Sequence, residues 1–225
     1  MKERQAFLLF QGKGENVVKK PKLDNQLHTK IETATFAMGW FWGSDALYGS
    51  LEGVISTQVG YAGGSTEKPT YHNIGDHSET VKVLYDPELI SYEELLKEFF
   101  RNHDPFHVSF SRQYRSAIFY HDELQKAQAL EYIEALEWKT KKKVMVSVEE
   151  AGPFYPAEGY HQKYYLQMHE DIMAEFRKIY PSFQDIVNST AAARVNGYLG
   201  GYGLNKHPLS DKELGKIIQE IIAGN

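Results

Sequence analysis

The chain has 225 residues, of which 42% are hydrophobic and 24% charged, and its formal net charge at pH 7 is -5. A chain of this length can bury a sizeable core, so we expect one domain with terminal extensions. The negative charge does not support nucleic-acid binding, which usually requires a basic face. Cysteine is absent, which excludes disulfides, thiolate metal sites and a cysteine nucleophile.

No apolar run in the sequence approaches the length of a membrane span. Residues 1–30 are polar and rich in lysine, and they lack the apolar stretch of a secretory signal. We therefore expect a soluble, cytoplasmic protein that binds neither membranes nor nucleic acid. Because residues 1–30 show no sustained hydrophobic period, they are predicted to form a flexible N-terminal arm.

The first predicted elements surround a turn at residues 37–43, which read Ala-Met-Gly-Trp-Phe-Trp-Gly. A strand is predicted over 32–38, and a helix over 44–51 with Ser44 or Asp45 near its N-cap. The three consecutive aromatic residues in this turn either plug the end of a core or line a binding site.

The rest of the chain alternates between strand and helix patterns. Further strands are predicted over 54–61, 79–85, 115–120 and 144–148. Helices are predicted over 91–102, where Ser91 and Glu94 form a capping-box pattern, over 122–139, from 169 to Pro181, and over 210–222. The glycine-rich residues 196–203 are predicted to be irregular. Interleaved strands and helices indicate an α+β protein, a mixed α/β sandwich with helices packed on a sheet.

Several short blocks follow one another between residues 33 and 166. They are Met38-Gly39-Trp40-Phe41-Trp42-Gly43, Gly60-Tyr61-Ala62-Gly63-Gly64, Pro69-Thr70-Tyr71, His77-Ser78-Glu79, Gln113-Tyr114-Arg115-Ser116, Phe154-Tyr155 and His161-Gln162. In this order they resemble the peptide methionine sulfoxide reductase A family. The resemblance implies a ferredoxin-like core with helices on a mixed sheet, a reductase-like domain at 31–166 and a helical C-terminal extension at 167–225.

In that family a thiolate attacks the sulfur of methionine sulfoxide, free or in peptides, and an external thiol such as thioredoxin or dithiothreitol reduces the resulting sulfenic acid. The resemblance therefore implies an oxidoreductase that repairs proteins under oxidative stress and has no bound cofactor. No metal site is predicted either, because His103, His107 and His121 show no ligand spacing with acidic residues.

The family reaction needs a proton donor near the sulfoxide oxygen, and a carboxylic acid stays neutral when its pocket is poorly solvated. By resemblance this acid is Glu79, and the assisting hydroxyls belong to Tyr71, Tyr114 and Tyr164. Tyr165 would replace Tyr164 if the match to the family is shifted by one residue. Phe41 and Trp42 match the apolar wall for the substrate methyl group.

Trp40 stands where the family has its nucleophilic cysteine, and an indole has no ionisable nucleophile. The chain as written is therefore predicted to be inactive, and the indole is expected to fill the place of the substrate sulfur. Leu199 stands where many members keep a resolving cysteine, so even a restored nucleophile would need an external thiol.

Three interpretations of Trp40 stay open. In the first, residue 40 is selenocysteine or cysteine in the natural protein, because the codon UGA is associated with tryptophan or selenocysteine depending on code and context. In the second, the chain is a pseudoenzyme that keeps the fold and a peptide-binding groove. In the third, it is an interaction protein that acts through residues 167–225.

Overall fold

The computed structural model describes residues 19–203 and 210–223. This part of the chain contains six β-strands and eight α-helices. The strands are β1 (Glu32–Met38), β2 (Val54–Ala62), β3 (Ser78–Tyr85), β4 (Ser116–Tyr120), β5 (Ser147–Glu150) and β6 (Tyr155–Pro156). The helices are α1 (Phe41–Gly49), α2 (Tyr92–Arg101), α3 (Glu123–Thr140), α4 (Tyr164–Gln167), α5 (Glu170–Ile179), α6 (Phe183–Val187), α7 (Thr190–Leu199) and α8 (Asp211–Ala223).

The six strands form one mixed sheet in the order β5-β4-β1-β3-β2-β6. β1 pairs antiparallel with β3 and β4, β2 pairs antiparallel with β3 and β6, and β5 runs parallel to β4. Along the chain α1 connects β1 to β2, and α2 connects β3 to β4. The central order β4-β1-β3-β2 with these two helices is a ferredoxin-like arrangement. The predicted α+β fold is confirmed.

The main core lies between the sheet and the helices α1 and α2. Phe36 of β1 is fully buried, and its ring lies 5.1 Å from that of Tyr48 in α1 and 5.4 Å from that of Phe99 in α2. The predicted capping box starts α2: the Ser91 side chain accepts from Glu94 N, and the Glu94 side chain accepts from Ser91 N. This cap fixes where the apolar stripe of α2 begins and so which face meets the sheet.

A second apolar cluster joins the helices that follow residue 166. Its buried members are Leu166, Met173, Phe176, Tyr180, Ile186, Ala191, Ala192, Val195 and Ile218. α7 packs closely on α1, since a Cβ added at Gly197 would lie 2.6 Å from the carbonyl oxygen of Ala46. The C-terminal helices therefore share a packed interface with the helix that follows the aromatic turn. None of the described helices is both long and apolar enough to cross a bilayer.

The N-terminal side of the chain also contacts α7. Residues 22–25 form a short 3-10 helix. Its Asp24 accepts hydrogen bonds from Thr190 N at 2.6 Å and from the Ser189 hydroxyl at 2.9 Å. Residues 1–18 of the expected arm, and residues 204–209 and 224–225 of the expected extension, lie outside the described residues.

The prediction for the start of α1 was wrong. The helix begins at Phe41, and Ser44 and Asp45 lie buried inside it. Trp40 is the N-cap residue, but its side chain makes no capping hydrogen bond. Instead, the Glu79 carboxylate accepts from Phe41 N at 3.2 Å. The first turn is thus satisfied by a side chain from β3, which local sequence patterns could not reveal.

Two further element predictions need correction. Residues 196–199 are helical as the end of α7, because Gly197 serves close packing on α1 rather than a turn. The strand expected over 144–148 lies at Ser147–Glu150, because Val144 is buried in the main core outside the ladder. The short strand β6 was not predicted.

Candidate active site

The loop between β1 and α1 places residue 40 at the entrance of a helix. Gly39 has φ = 90°, a conformation that side chains other than glycine rarely adopt, and it turns the chain out of β1. Trp40 then takes extended backbone angles, φ = -62° and ψ = 121°, before α1 begins. The N-terminal end of a helix carries a partial positive charge, so an anion at position 40 would be stabilised.

One cleft opens beside this helix end. It is lined by Trp40, Phe41, Trp42, Tyr71, Glu79 and Tyr114, and its volume is about 140 Å³. The Trp40 ring lies edge-on to the rings of Trp42 and Tyr114, with ring centroids 6.4 Å and 6.3 Å apart. Trp40 is nevertheless 68% exposed. The ring therefore forms one wall of the cleft, and the expectation that the indole fills the place of the substrate sulfur stays a prediction.

Glu79 is the acidic group of the cleft and is 3% exposed. Its Oε1 accepts from Gln113 Nε2 at 2.8 Å, and its Oε2 accepts from Phe41 N at 3.2 Å. Burial raises the pKa of Glu79, and these two hydrogen bonds oppose that rise only in part. The protonated acid is thereby favoured over a wider pH range than for a glutamate in water.

Tyr71 and Tyr114 supply the hydroxyls of the cleft. The pKa of Tyr114 is raised by burial and then by the neighbouring Tyr71 hydroxyl, so it stays a protonated donor at neutral pH. Tyr71 N donates to the Glu158 carboxylate at 3.0 Å, which ties the loop that carries Tyr71 to the segment after β6. The loop itself is closed by Asp76, whose carboxylate accepts from Ser65 N and Thr66 N.

Trp42 is held on two sides. Its Nε1 donates to His161 Nδ1 at 3.2 Å, and its ring stacks on Tyr164 with centroids 3.9 Å apart and planes within 5°. Tyr164 is therefore placed against Trp42 and is not among the residues that line the cleft. Tyr165, the alternative, lies beside Gly200. Burial lowers the pKa of His161, so the imidazole is neutral near pH 7.

Comparison with known proteins identifies this arrangement. The profile of a family described as peptide methionine sulfoxide reductase matches residues 32–193. The chain belongs to the peptide methionine sulfoxide reductase family. It is 44% identical over 173 residues to a peptide methionine sulfoxide reductase of Drosophila melanogaster, covering 76% of this chain and 69% of that protein. Peptide methionine sulfoxide reductase A5 of Oryza sativa subsp. japonica is 42% identical, with 74% and 67% covered.

Two solved structures share the fold of this chain. The reduced form of Mxr1 from Saccharomyces cerevisiae aligns with a TM-score of 0.58 at 30% identity, covering 63% of this chain and 87% of that one. Methionine sulfoxide reductase A of Corynebacterium diphtheriae aligns with a TM-score of 0.54 at 27% identity, covering 71% and 87%. The family profile runs past the boundary expected at residue 166 and reaches the first residues of α7.

Within this reductase fold, the structure brings most of the predicted site residues together. Trp40, Phe41, Trp42, Tyr71, Glu79 and Tyr114 line the cleft, and Tyr164 supports it from behind Trp42. Their roles in catalysis remain predictions. The described residues contain no group of three or more His, Asp or Glu side chains that could hold a metal ion.

Three residues that shape the site have no role predicted from the sequence. Gln113 holds Glu79, Glu158 holds the backbone of Tyr71, and His161 holds Trp42. Two of them, Gln113 and His161, stand inside the blocks that carry the family resemblance. Their position in those blocks was the available signal, but only the folded geometry shows what each one contacts.

A buried ion pair behind α1 was also missed. Lys163 and Asp45 are both fully buried, with Nζ 2.9 Å from Oδ1. Lys163 has φ = 49° and immediately precedes Tyr164. The pair thus anchors the backbone that presents Tyr164 to Trp42.

Proposed function

We propose that this cleft performs the family reaction, reduction of methionine S-sulfoxide to methionine, when residue 40 carries a chalcogen nucleophile, and that the chain with Trp40 does not perform it. The observation that carries the proposal is the position of residue 40. It lies at the N-terminal end of α1, in one cleft with Glu79, Tyr71 and Tyr114. A thiolate or selenolate there would be stabilised by the helix end, whereas an indole has no lone pair available for attack.

The proposed reaction assigns one task to each group. A thiolate or selenolate at residue 40 attacks the sulfoxide sulfur while Glu79, whose pKa is raised by burial, donates a proton to the sulfoxide oxygen in its protonated form. The attack forms a bond between the residue 40 chalcogen and the substrate sulfur. The hydroxyl group then moves from the substrate sulfur to the chalcogen as this new bond breaks, so that methionine leaves and residue 40 remains as a sulfenic or selenenic acid. Phe41 and Trp42 provide apolar surface for the substrate methyl group.

Turnover requires a reductant that the chain does not contain. The sequence has no cysteine, and Leu199, at the end of α7, packs against the second apolar cluster. An external thiol, thioredoxin-like in the cell or dithiothreitol in an assay, would therefore reduce the oxidised residue 40. The first external thiol attacks the sulfenic or selenenic acid, which releases water and forms a mixed disulfide or selenenyl sulfide. A second external thiol then attacks this bond, which restores residue 40 and leaves the reductant as a disulfide.

The coding triplet and the activity of two variants test the proposal. TGA at codon 40, with an intact mass showing selenium, would identify a selenoenzyme, whereas TGG would identify a true tryptophan. Trp40→Cys is expected to reduce one equivalent of a methionine S-sulfoxide peptide without added thiol, and to turn over with dithiothreitol. Trp40→Ser, which matches cysteine in size but lacks the soft nucleophile, is the control and should remain inactive. A folded but inactive Trp40→Cys protein would contradict the proposal.

A second candidate function, binding without chemistry, is favoured by the open cleft. The exposed Trp40 also borders an outer groove that includes Val108, 72% exposed, and Phe110, 94% exposed. Such a surface suits residues that flank a methionine in a peptide. Peptides containing methionine or its sulfoxide should then bind the chain with Trp40. Phe110→Ser should weaken the binding of these peptides but not the binding of the free amino acid. Absence of binding by any of them would exclude a retained peptide groove.

The third interpretation, an interaction role for residues 167–225, has less support. α7 packs on α1 and contributes Asn196 to the network around Asp45. These contacts give the segment a structural role within the fold.

A further inference from the structure

The cleft beside Trp40 has an unusual combination of walls. Five of its six lining residues are aromatic, and the sixth is Glu79; none of the six is lysine or arginine. Trp40 contributes an electron-rich indole to these walls, beside the four other rings. Tryptophan is the aromatic side chain whose face attracts cations most strongly.

The carboxylate in this cleft lacks a cationic partner. Both oxygens of Glu79 accept from neutral N–H groups, those of Gln113 and Phe41. The nearby guanidinium of Arg115 is bonded to the Glu149 carboxylate and to the Ser78 hydroxyl. His161, which packs against Trp42 and Tyr71, is neutral near pH 7 because burial lowers its pKa. The described surroundings of the cleft are therefore ready to receive a positive charge.

We propose that the chain with Trp40 binds a small methylated onium group in this cleft, the dimethylsulfonium or trimethylammonium end of an aliphatic side chain. The rings would surround the methyl groups, and Glu79 would face the charge. A methylated onium ion needs no hydrogen-bond acceptors from its site and is attracted by aromatic faces. This binding involves no bond making or breaking, so it goes beyond the reductase proposal and does not rest on it.

The size of the cleft fits this ligand class. Its volume is about 140 Å³, close to the cavity of about 150 Å³ that holds benzene in another protein. A dimethylsulfonium group also has the pyramidal shape of a methyl sulfoxide, with a methyl group in place of the oxygen. The cleft of this reductase fold can therefore accept its outline, while the added indole and the unpaired carboxylate favour its charge.

Binding of charged probes and of their neutral isosteres tests the proposal. The probes are the N-acetyl methylamides of S-methylmethionine and of Nε-trimethyllysine, each compared with an analogue whose onium atom is replaced by carbon. Isothermal titration of the full chain should show at least one charged probe binding about tenfold or more tightly than its isostere, a difference of about 1.4 kcal/mol, since desolvated cation–π contacts favour the charged probe. The probe that binds identifies the source of the onium group. Equal binding of charged and neutral probes, or no binding by either charged probe, would overturn the proposal.

Three variants locate the effect. Trp40→Leu removes one partly exposed ring and should lower the preference for the charged probe about two- to fivefold, which corresponds to about 0.5–1 kcal/mol at an exposed site. Glu79→Gln should lower the preference for the charged probe more than Trp40→Leu does. Trp138→Leu on α3, where the indole is 77% exposed and outside the cleft, is the control and should leave it unchanged. Because Trp40 lies at the surface, Trp40→Leu keeps the test decisive even if Glu79→Gln does not fold; an unchanged preference in Trp40→Leu would refute the proposed contact.

Discussion

The buried pair Lys163–Asp45 gives a sharp prediction for stability. Lys163 Nζ donates to Asp45 Oδ1 at 2.9 Å, to the Thr57 carbonyl at 2.6 Å and to the Thr57 hydroxyl at 2.8 Å. Asp45 Oδ2 accepts from Lys163 N at 3.0 Å and from Asn196 Nδ2 at 3.3 Å. The network therefore joins α1, β2, α7 and the segment before Tyr164. Lys163→Met removes the ammonium group and keeps an unbranched apolar side chain of similar length.

The expected cost follows from the complete burial of both side chains. Removing one partner of a buried pair leaves the other charge uncompensated, which costs about 3–5 kcal/mol. A domain of this size loses about 2–4 °C in Tm for each kcal/mol, so Lys163→Met should lower Tm by about 6–20 °C. Since total stabilities are about 5–15 kcal/mol, this one substitution removes a large fraction of the folding free energy.

Thermal and urea unfolding of matched variants would measure this cost. Lys178→Met is the control, because Lys178 pairs with Glu175 at the surface, where the two side chains are 65% and 51% exposed and such pairs contribute less than about 1 kcal/mol. The double variant Asp45→Leu/Lys163→Met leaves no buried charge and should recover part of the loss. Equal Tm shifts in Lys163→Met and Lys178→Met would refute the assigned role of the network.

Two further predictions concern pH and packing. Burial raises the folded-state pKa of Glu79 above its ordinary value of 4.5, so the folded chain binds that proton more tightly than the unfolded chain does. The contribution of Glu79 to stability therefore falls as pH rises from 4.5 through the raised pKa. The Tm of the parent chain relative to that of Glu79→Gln should decrease over that range, and a constant difference would contradict the assignment. Gly197→Ala should destabilise the fold by about 1–3 kcal/mol, because the new Cβ would lie 2.6 Å from the Ala46 carbonyl oxygen. Gly215→Ala in α8 meets no heavy atom within 4 Å and should stabilise it by up to about 1 kcal/mol, so a change of the same sign at both glycines in urea unfolding would argue against the close packing of α7 on α1.

The fold was largely predictable because its elements follow local rules. β1 lies at Glu32–Met38, as its apolar pattern predicted, and α2 starts at the capping box of Ser91 and Glu94. The start of α1 failed for a physical reason: its cap is Glu79, which is distant in sequence and reaches Phe41 N only after β3 joins the sheet. The prediction of irregular structure around Gly197 failed in the same way, because glycine permits close helix packing as well as turns.

The cleft residues were predictable from the order of their sequence blocks, whereas their supports were not. Lysine usually lies at the surface, so Lys163, between the polar residues Gln162 and Tyr164, would be expected there. Only the tertiary fold shows that Lys163 is buried against Asp45. Likewise, the aromatic turn could equally have packed into a core. Phe41 is indeed buried, whereas Trp40 is exposed, so the two adjacent aromatic residues have different roles.

The residues that would serve a nucleophile at position 40 are of two kinds, and this affects how their presence beside Trp40 is interpreted. Glu79 has a structural role in any case, because it caps α1 through Phe41 N. Its presence therefore does not by itself indicate a working reductase. Tyr71 and Tyr114 also line the cleft, but their hydroxyls interact with each other and cap no helix. Tyr→Phe at either position is therefore expected to cost the fold less than the loss of the Glu79 cap, so the two hydroxyls bear more directly than Glu79 on the proposal that the cleft binds a ligand.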